Sequence, residues 1–217
     1  MKLARLLALA TLLAPFAYAD GVPVSMQFDN VNGANNGVYY VSPYTGTMNG
    51  QPVVLFCDDI KNDVGFGQTW SANVTNLKTA LSTTNGFANT RYGSVSNSAV
   101  IADPGLAYEE AAWLTTQFAG NPTQWVNLQE ALWDIMNPGT YSGSWVSYWL
   151  GQAAGFGSDP NFNPANFEIV TNVGPLCLTG QVQEFIVQTP EPGTMALLLA
   201  GVLALAALTL FRARVSA

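Results

Sequence analysis

The amino-acid sequence predicts an α+β fold, a β-sandwich or open barrel that carries a helical insertion. Three observations predict this class: β-rich runs occupy the first third of the mature chain, apolar residues recur at helical spacing in the centre, and β-rich runs return at the end. The chain is 49% hydrophobic and only 10% charged, and much of the apolar excess lies at its two ends. We expect residues 20–189 to form one domain with a sizeable core.

The first part of the predicted domain has the residue pattern of β-strands. Val24, Met26 and Phe28 alternate with polar residues, and this period of two predicts a half-buried strand. Further short runs of β-branched and aromatic residues are separated by proline, glycine and asparagine, which favour turns. They predict strands at residues 38–41, 53–57, 68–74, 167–171, 176–178 and 182–187.

The centre of the chain changes to a helical pattern. Asp103 followed by Pro104 is typical of a helix start, because aspartate caps the first free N–H groups and proline suits the first turn. Apolar residues then recur at helical spacing up to Gly120. A start signal at residues 121–122 and a stop at 137–139 predict a second helix, and residues 144–154 predict a third.

The N-terminal end has the three parts of a secretory signal peptide. Lys2 and Arg5 precede an apolar run at residues 6–16, and a small-residue cleavage site ends at Ala19. The apolar run is much shorter than the roughly 20 residues that span a bilayer. We expect residues 1–19 to be removed and the mature chain to begin at Asp20.

The C-terminal end has the pattern of a single transmembrane helix. Residues 194–211 carry no charge and are followed by Arg212 and Arg214. At about 1.5 Å per residue this stretch reaches roughly the thickness of a bilayer core. The positive-inside rule predicts that Arg212 and Arg214 stop transfer on the cytoplasmic side, so that the domain lies outside the inner membrane.

A short motif directly precedes this predicted membrane helix. Pro190, Glu191 and Pro192, the apolar stretch and the basic end follow each other in that order. This arrangement resembles the PEP-CTERM sorting signal. The resemblance implies recognition by exosortase, insertion in the inner membrane until processing, and a final place at the cell surface or in an exopolysaccharide-rich biofilm matrix. It covers residues 190–217 and indicates the destination of the protein, not its activity.

Composition excludes several kinds of function. The chain contains no histidine, so a Ser/His/Asp triad, a Cys/His dyad and an HExxH metal site are excluded. Of the 14 acidic residues all but Glu191 lie in residues 20–189, where the basic residues are Lys61, Lys78 and Arg91. Such an acidic domain does not bind nucleic acid by charge. Asp159, Asn161 and Asn163 repeat the opening of a calcium-binding loop, but Pro164 replaces its turn glycine, so we expect a solvated turn. We expect no cofactor, no bound metal and no enzyme.

The two cysteines, Cys57 and Cys177, allow two kinds of crosslink. Both stand at strand-like positions in a chain predicted to be exported to an oxidising compartment. One alternative is a structural disulfide between them, which would stabilise the fold by about 2–5 kcal/mol. The other alternative joins Cys57 to a glutamine.

Phe56-Cys57 at the end of a predicted strand and the helical sequence 128–133, LQEALW, resemble the two halves of bacterial thioester domains of surface adhesins. In that family a strand cysteine bonds to the glutamine of a Gln-x-Ala-Ile-Trp helix, and the thioester captures amines covalently. The resemblance implies that Cys57 and Gln129 form the bond. Leu132 replaces the usual isoleucine, and Leu128 replaces a small hydroxyl residue.

Two further functions remain open at the level of sequence. Aromatic side chains pack on sugar rings, so Trp145, Tyr148 and Trp149 are candidate contacts of a carbohydrate-binding module, for which we expect exposed rings. A secreted hydrolase would need a carboxylate pair, and Glu109 with Glu130 or Asp134 is such a combination by composition.

Overall fold

The computed structural model describes residues 22–94, 100–189 and 201–202. It confirms the mixed α+β class, with six antiparallel strands and several helices. The predicted sandwich or open barrel is wrong in detail, because β4 pairs with β1 as well as β5 and so closes the barrel. The predicted signal peptide, the Pro-Glu-Pro motif and the predicted membrane helix, apart from residues 201–202, lie outside the described residues. Within the described ranges no helix is both long enough and apolar enough to cross a bilayer.

Six strands and four α-helices make up the regular structure of the described part of the chain. The strands are β1 (Val24–Val31), β2 (Tyr44–Met48), β3 (Gln51–Cys57), β4 (Thr69–Asn76), β5 (Phe167–Asn172) and β6 (Phe185–Gln188). The helices are α1 (Leu77–Ser82), α2 (Pro104–Gln117), α3 (Trp125–Met136) and α4 (Ser144–Ala154). Three short 3₁₀ turns lie at Pro122–Gln124, Phe156–Ser158 and Pro164–Asn166. All of residues 22–94 and 100–189 belong to one compact unit.

The barrel closes in the order β1-β2-β3-β6-β5-β4. In β1 the predicted alternation is confirmed, because Val24, Met26 and Phe28 are buried while Ser25 is exposed. β6, from the end of the chain, pairs with β3 so that Cys57 lies opposite Phe185. The helical segment is thus inserted between β4 and β5, as the sequence predicts.

A layer of helices covers one side of the barrel. Phe56 and Ile186, which are partners across β3 and β6, belong to the same buried cluster as apolar side chains of α2, α3 and α4. Phe185 instead packs against Phe28 and Tyr44, because successive residues of a strand face opposite sides of the sheet. The core therefore has one part inside the barrel and another between the barrel and the helices.

Helix boundaries follow local capping. Asp103 caps α2 as predicted, since its Oδ1 accepts a hydrogen bond from the backbone N–H of Leu106 at 3.1 Å. α1 is not predicted from the sequence. This helix begins where the Asn76 side chain accepts a hydrogen bond from the N–H of Thr79. Asn76 is also the last residue of β4, so the strand and the helix follow each other without a linker.

Two predicted strands are wrong. Residues 38–41 form a loop, because the Asn36 side chain accepts hydrogen bonds from the N–H groups of Val38 and Tyr39 and so holds a turn; the strand lies farther on, in β2. Residues 176–178 are also irregular. There the carbonyl of Cys177 accepts from Arg91 and that of Leu178 from Asn62, so these backbone groups serve side chains and not a sheet.

Candidate functional site

The end of β3 and the middle of α3 bring Cys57 and Gln129 into contact. The Gln129 Nε2 amide donates a hydrogen bond to the Cys57 carbonyl oxygen at 2.6 Å, across 72 residues of sequence. Both residues have no exposed surface. The predicted pair therefore lies in contact without exposed surface, and burial of this kind protects an amide and a thiol from competing reactions with water.

Ser42 fixes both members of this pair. Its backbone N–H donates to Gln129 Oε1 at 3.0 Å, and its Oγ accepts from the backbone N–H of Cys57 at 2.8 Å. The carboxamide of Gln129 is thus held at its nitrogen and at its oxygen. A donor aimed at a carbonyl oxygen also stabilises negative charge that develops there during nucleophilic attack.

The Cys57 thiol has two hydrogen-bond partners. Its Sγ donates to the carbonyl oxygen of Asp59 at 3.4 Å and accepts from the Trp133 Nε1–H at 3.4 Å. Burial raises the pKa of Cys57 well above its usual range, and the nearby Asp59 carboxylate raises it further, against the Trp133 hydrogen bond. The resting group is therefore a neutral thiol.

Aromatic and polar side chains frame the outer side of this pair; we call Asn36, Tyr39, Glu130 and Tyr141 the mouth cluster. Trp133 lies between Tyr39, which meets it edge-on at 5.9 Å, and Tyr141, which stacks on it at 5.7 Å. Asn36 Nδ2 donates to Glu130 Oε1 at 3.1 Å and to the Tyr141 hydroxyl at 3.4 Å.

Contacts link the mouth cluster to the thiol, since Tyr141 stacks on Trp133 and the Trp133 Nε1–H donates to Cys57 Sγ. Burial raises the pKa of Tyr141, the Asn36 hydrogen bond lowers it, and Glu130, Tyr39 and Cys57 raise it further. Among these residues Glu130 and Trp133 stand in the motif on α3 and could have been found from it, whereas no sequence signal marks Asn36 or Ser42.

A buried ion pair involves Asp59, whose carbonyl oxygen accepts the hydrogen bond from Cys57 Sγ. Arg91 Nε and Asp59 Oδ2 are 2.7 Å apart, and neither side chain has any exposed surface. Asn62 Nδ2 and the Tyr92 hydroxyl also donate to Asp59, at 2.8 and 3.3 Å. The guanidinium further donates to the Cys177 carbonyl at 2.6 Å. These bonds hold the segment that follows Cys57.

Two more buried carboxyl groups, Asp58 and Glu184, accompany this ion pair. Glu184 accepts hydrogen bonds from the Arg91 backbone N–H at 2.7 Å, from the Tyr108 hydroxyl at 2.5 Å and from the Thr171 hydroxyl. Within the described residues neither carboxyl oxygen of Asp58 bonds to another residue. Burial raises the pKa of Asp58 well above its usual range, and Glu184 and Asp59 raise it further. Asp58 is therefore the neutral member.

The other candidate residues lie apart from this site. Cys57 and Cys177 are not joined, since both are free and Cys177 is exposed.

Trp145 and Tyr148 are 52% and 47% exposed, whereas Trp149 is only 6% exposed. The expected exposure of Trp149 is wrong, because its ring packs in the cluster between the helices and the barrel.

The carboxylates of the hydrolase alternative have separate partners. Asp103 is the charged neighbour of Glu109, Asn36 binds Glu130, and Asp134 accepts from the backbone N–H of Tyr141. The Pro190, Glu191 and Pro192 motif and the stop residues Arg212 and Arg214 lie outside the described part of the chain. Within that part, no group of three His, Cys, Asp or Glu side chains is arranged to hold a metal ion.

The geometry at Cys57 and Gln129 thus offers a buried thiol, a carboxamide bonded to the backbone carbonyl of the same cysteine, and a donor at the carboxamide oxygen. Such an arrangement suits nucleophilic attack of sulfur on the side-chain carbonyl. Comparisons of the chain with models of protein families, with curated proteins and with solved structures give no match.

Proposed function

We propose that this protein is an exported cell-surface or biofilm-matrix protein, sorted by exosortase, that attaches to its surroundings through an internal thioester between Cys57 and Gln129. The signal-peptide pattern at residues 1–19 and the Pro-Glu-Pro motif with its apolar and basic tail support export and sorting. The observation that best supports the thioester is the 2.6 Å hydrogen bond from the Gln129 amide to the backbone carbonyl oxygen of Cys57. In this proposal the protein acts in adhesion or structural association, and its partners are surface amines or exopolysaccharide. It does not act by catalytic turnover.

Formation of the thioester needs a single substitution at the Gln129 carbonyl carbon. The Cys57 sulfur attacks that carbon, the carbon–nitrogen bond breaks, and the thiol proton leaves with the amide nitrogen as ammonia. Ser42 supports this step, because its N–H already donates to the oxygen on which negative charge collects. No histidine, metal or cofactor takes part.

Capture reverses the roles of sulfur and nitrogen. A primary amine attacks the thioester carbon, the carbon–sulfur bond breaks, and an amide forms between the partner and Gln129 while Cys57 recovers its proton. The Trp133 Nε1–H, 3.4 Å from Sγ, supports the departure of sulfur, since it donates to the atom that gains electrons. The partner then remains covalently bound.

The test is the intact mass of the exported full chain, before and after incubation with methylamine. We expect a deficit of about 17 Da against the sequence mass, the loss of one ammonia, and its replacement by a methylamine adduct at Gln129. Cys57→Ala and Gln129→Ala should abolish both signals. Cys177→Ala is the matched control and should keep them. A full mass, or a deficit of about 2 Da that Cys177→Ala removes, contradicts the thioester.

A further inference from the structure

One partly exposed carboxylate belongs to the residue next to the proposed thioester. Glu130 directly follows Gln129 in α3, and Asn36 holds its Oε1 at 3.1 Å. Glu130 is only partly buried, unlike Gln129. Asn36 also donates to the Tyr141 hydroxyl, Tyr141 stacks on Trp133, and the Trp133 Nε1–H donates to Cys57 Sγ. A chain of contacts thus joins the carboxylate to the sulfur.

The loop at residues 32–42 organises this side of the site. It contacts α3 at three points: Ser42 donates to Gln129, Asn36 donates to Glu130, and the Tyr39 ring packs against Trp133. These contacts place the mouth cluster, whose side chains are at least partly exposed, next to Gln129 and Trp133. The cluster contains two tyrosine rings, and its charged group is a carboxylate.

Capture of an alkyl amine requires a base. Such amines are protonated at neutral pH, with a pKa of about 10, and the ammonium form has no free electron pair to attack the thioester. The chain has no histidine, which leaves the carboxylates as candidate bases. Asp58, Asp59 and Glu184 have no exposed surface, whereas Glu130 is partly exposed.

We propose that Glu130 binds the ammonium group of the incoming partner and accepts its proton, so that the thioester selects cationic primary amines over neutral nucleophiles. This inference rests on the proposed thioester. Tyr39 and Tyr141 stabilise the cation through their ring faces, and the formal net charge of −7 attracts it. Of the two protons that the ammonium loses, one passes through Glu130 to water and the other reaches the Cys57 sulfur.

The experiment compares two nucleophiles on the full chain. Methylamine is cationic at neutral pH, whereas hydroxylamine is mostly uncharged and needs neither the cation site nor the base. Glu130→Gln keeps the size of the side chain and an oxygen for Asn36 but removes the charge. We expect the variant to retain the 17 Da deficit, to capture methylamine about 10 to 100 times more slowly, and to capture hydroxylamine within about twofold of the wild-type rate.

Two further variants give the controls. Glu110→Gln removes a partly buried carboxylate on α2 and should change neither rate. Asn36→Ala frees Glu130 without removing it, and should slow methylamine capture by a smaller factor. Equal rates for Glu130→Gln and wild type with methylamine, or an equal slowing with both nucleophiles, would overturn the role of Glu130. A wild-type chain without the mass deficit would overturn the thioester itself, and this inference with it.

Discussion

Replacement of Arg91 by methionine should destabilise the domain strongly. The Arg91 side chain has no exposed surface. Methionine replaces its apolar stem but lacks the guanidinium. The substitution breaks the 2.7 Å ion pair with Asp59 and withdraws donors from the Cys177 and Val182 carbonyls and from Asn172.

The magnitude follows from these contacts. Breaking a buried ion pair by removal of one partner costs about 3–5 kcal/mol, and each buried acceptor left without a donor adds about 1–3 kcal/mol unless water reaches it. Even the ion pair alone is a large part of a total stability of about 5–15 kcal/mol. For a domain of this size, 3 kcal/mol lowers the melting temperature by about 6–12 °C.

The assay is urea unfolding at neutral pH, followed by tryptophan fluorescence, with Lys78→Met as the matched control. Lys78 is exposed on α1, so its loss should change the free energy of unfolding by less than about 0.5 kcal/mol. The double variant Arg91→Met with Asp59→Asn should recover part of the loss, because the Asp59 charge no longer stays buried without its partner. A change below about 1 kcal/mol for Arg91→Met, or no recovery in the double variant, would refute the ion-pair argument.

Two other predictions concern single carboxylates. The folded state raises the pKa of Asp58 above its unfolded value of about 4, so folded Asp58 keeps a proton that the unfolded chain releases. The stability linked to Asp58 is therefore complete below about pH 4. It declines by at most about 1.4 kcal/mol per pH unit as the pH rises toward the folded pKa. Asp58→Asn should flatten this decline and raise the melting temperature at neutral pH in a calorimetric pH series; an unchanged slope contradicts a neutral Asp58. Asp103→Ala removes the cap of α2 and should cost about 1 kcal/mol in chemical denaturation, whereas Asp103→Asn should keep most of the stability; an equal loss in both variants argues against capping.

Local signals predicted much of the fold. The alternation in β1 and the Asp103 cap depend on residues close in sequence, and the structure agrees with them. Residues 38–41 have β-branched and aromatic side chains, yet they form a loop because the Asn36 side chain satisfies two of its N–H groups. A side-chain hydrogen bond of this kind competes with strand pairing and is invisible to hydrophobic periodicity.

The site was predictable only where it lies in a motif. Cys57 and Gln129 stood out through a resemblance, and the structure brings them into contact. The cluster of buried charges could not be predicted, because Arg91 and Glu184 are 93 residues apart. Each of them looks like an ordinary surface residue in the sequence. Which distant partners meet depends on the closure of the barrel, which no local pattern encodes.

The pairing of β6 has a mechanical consequence. Cys57 lies opposite Phe185 at one end of β6, Leu55 lies opposite Val187 near the other end, and the chain continues from there toward the predicted anchor. A tensile load between a captured partner and the cell would therefore run along β6, whose hydrogen bonds to β3 and β5 lie across that direction. All of these bonds would resist shear together and would not unzip one after another, which suits the proposed covalent attachment.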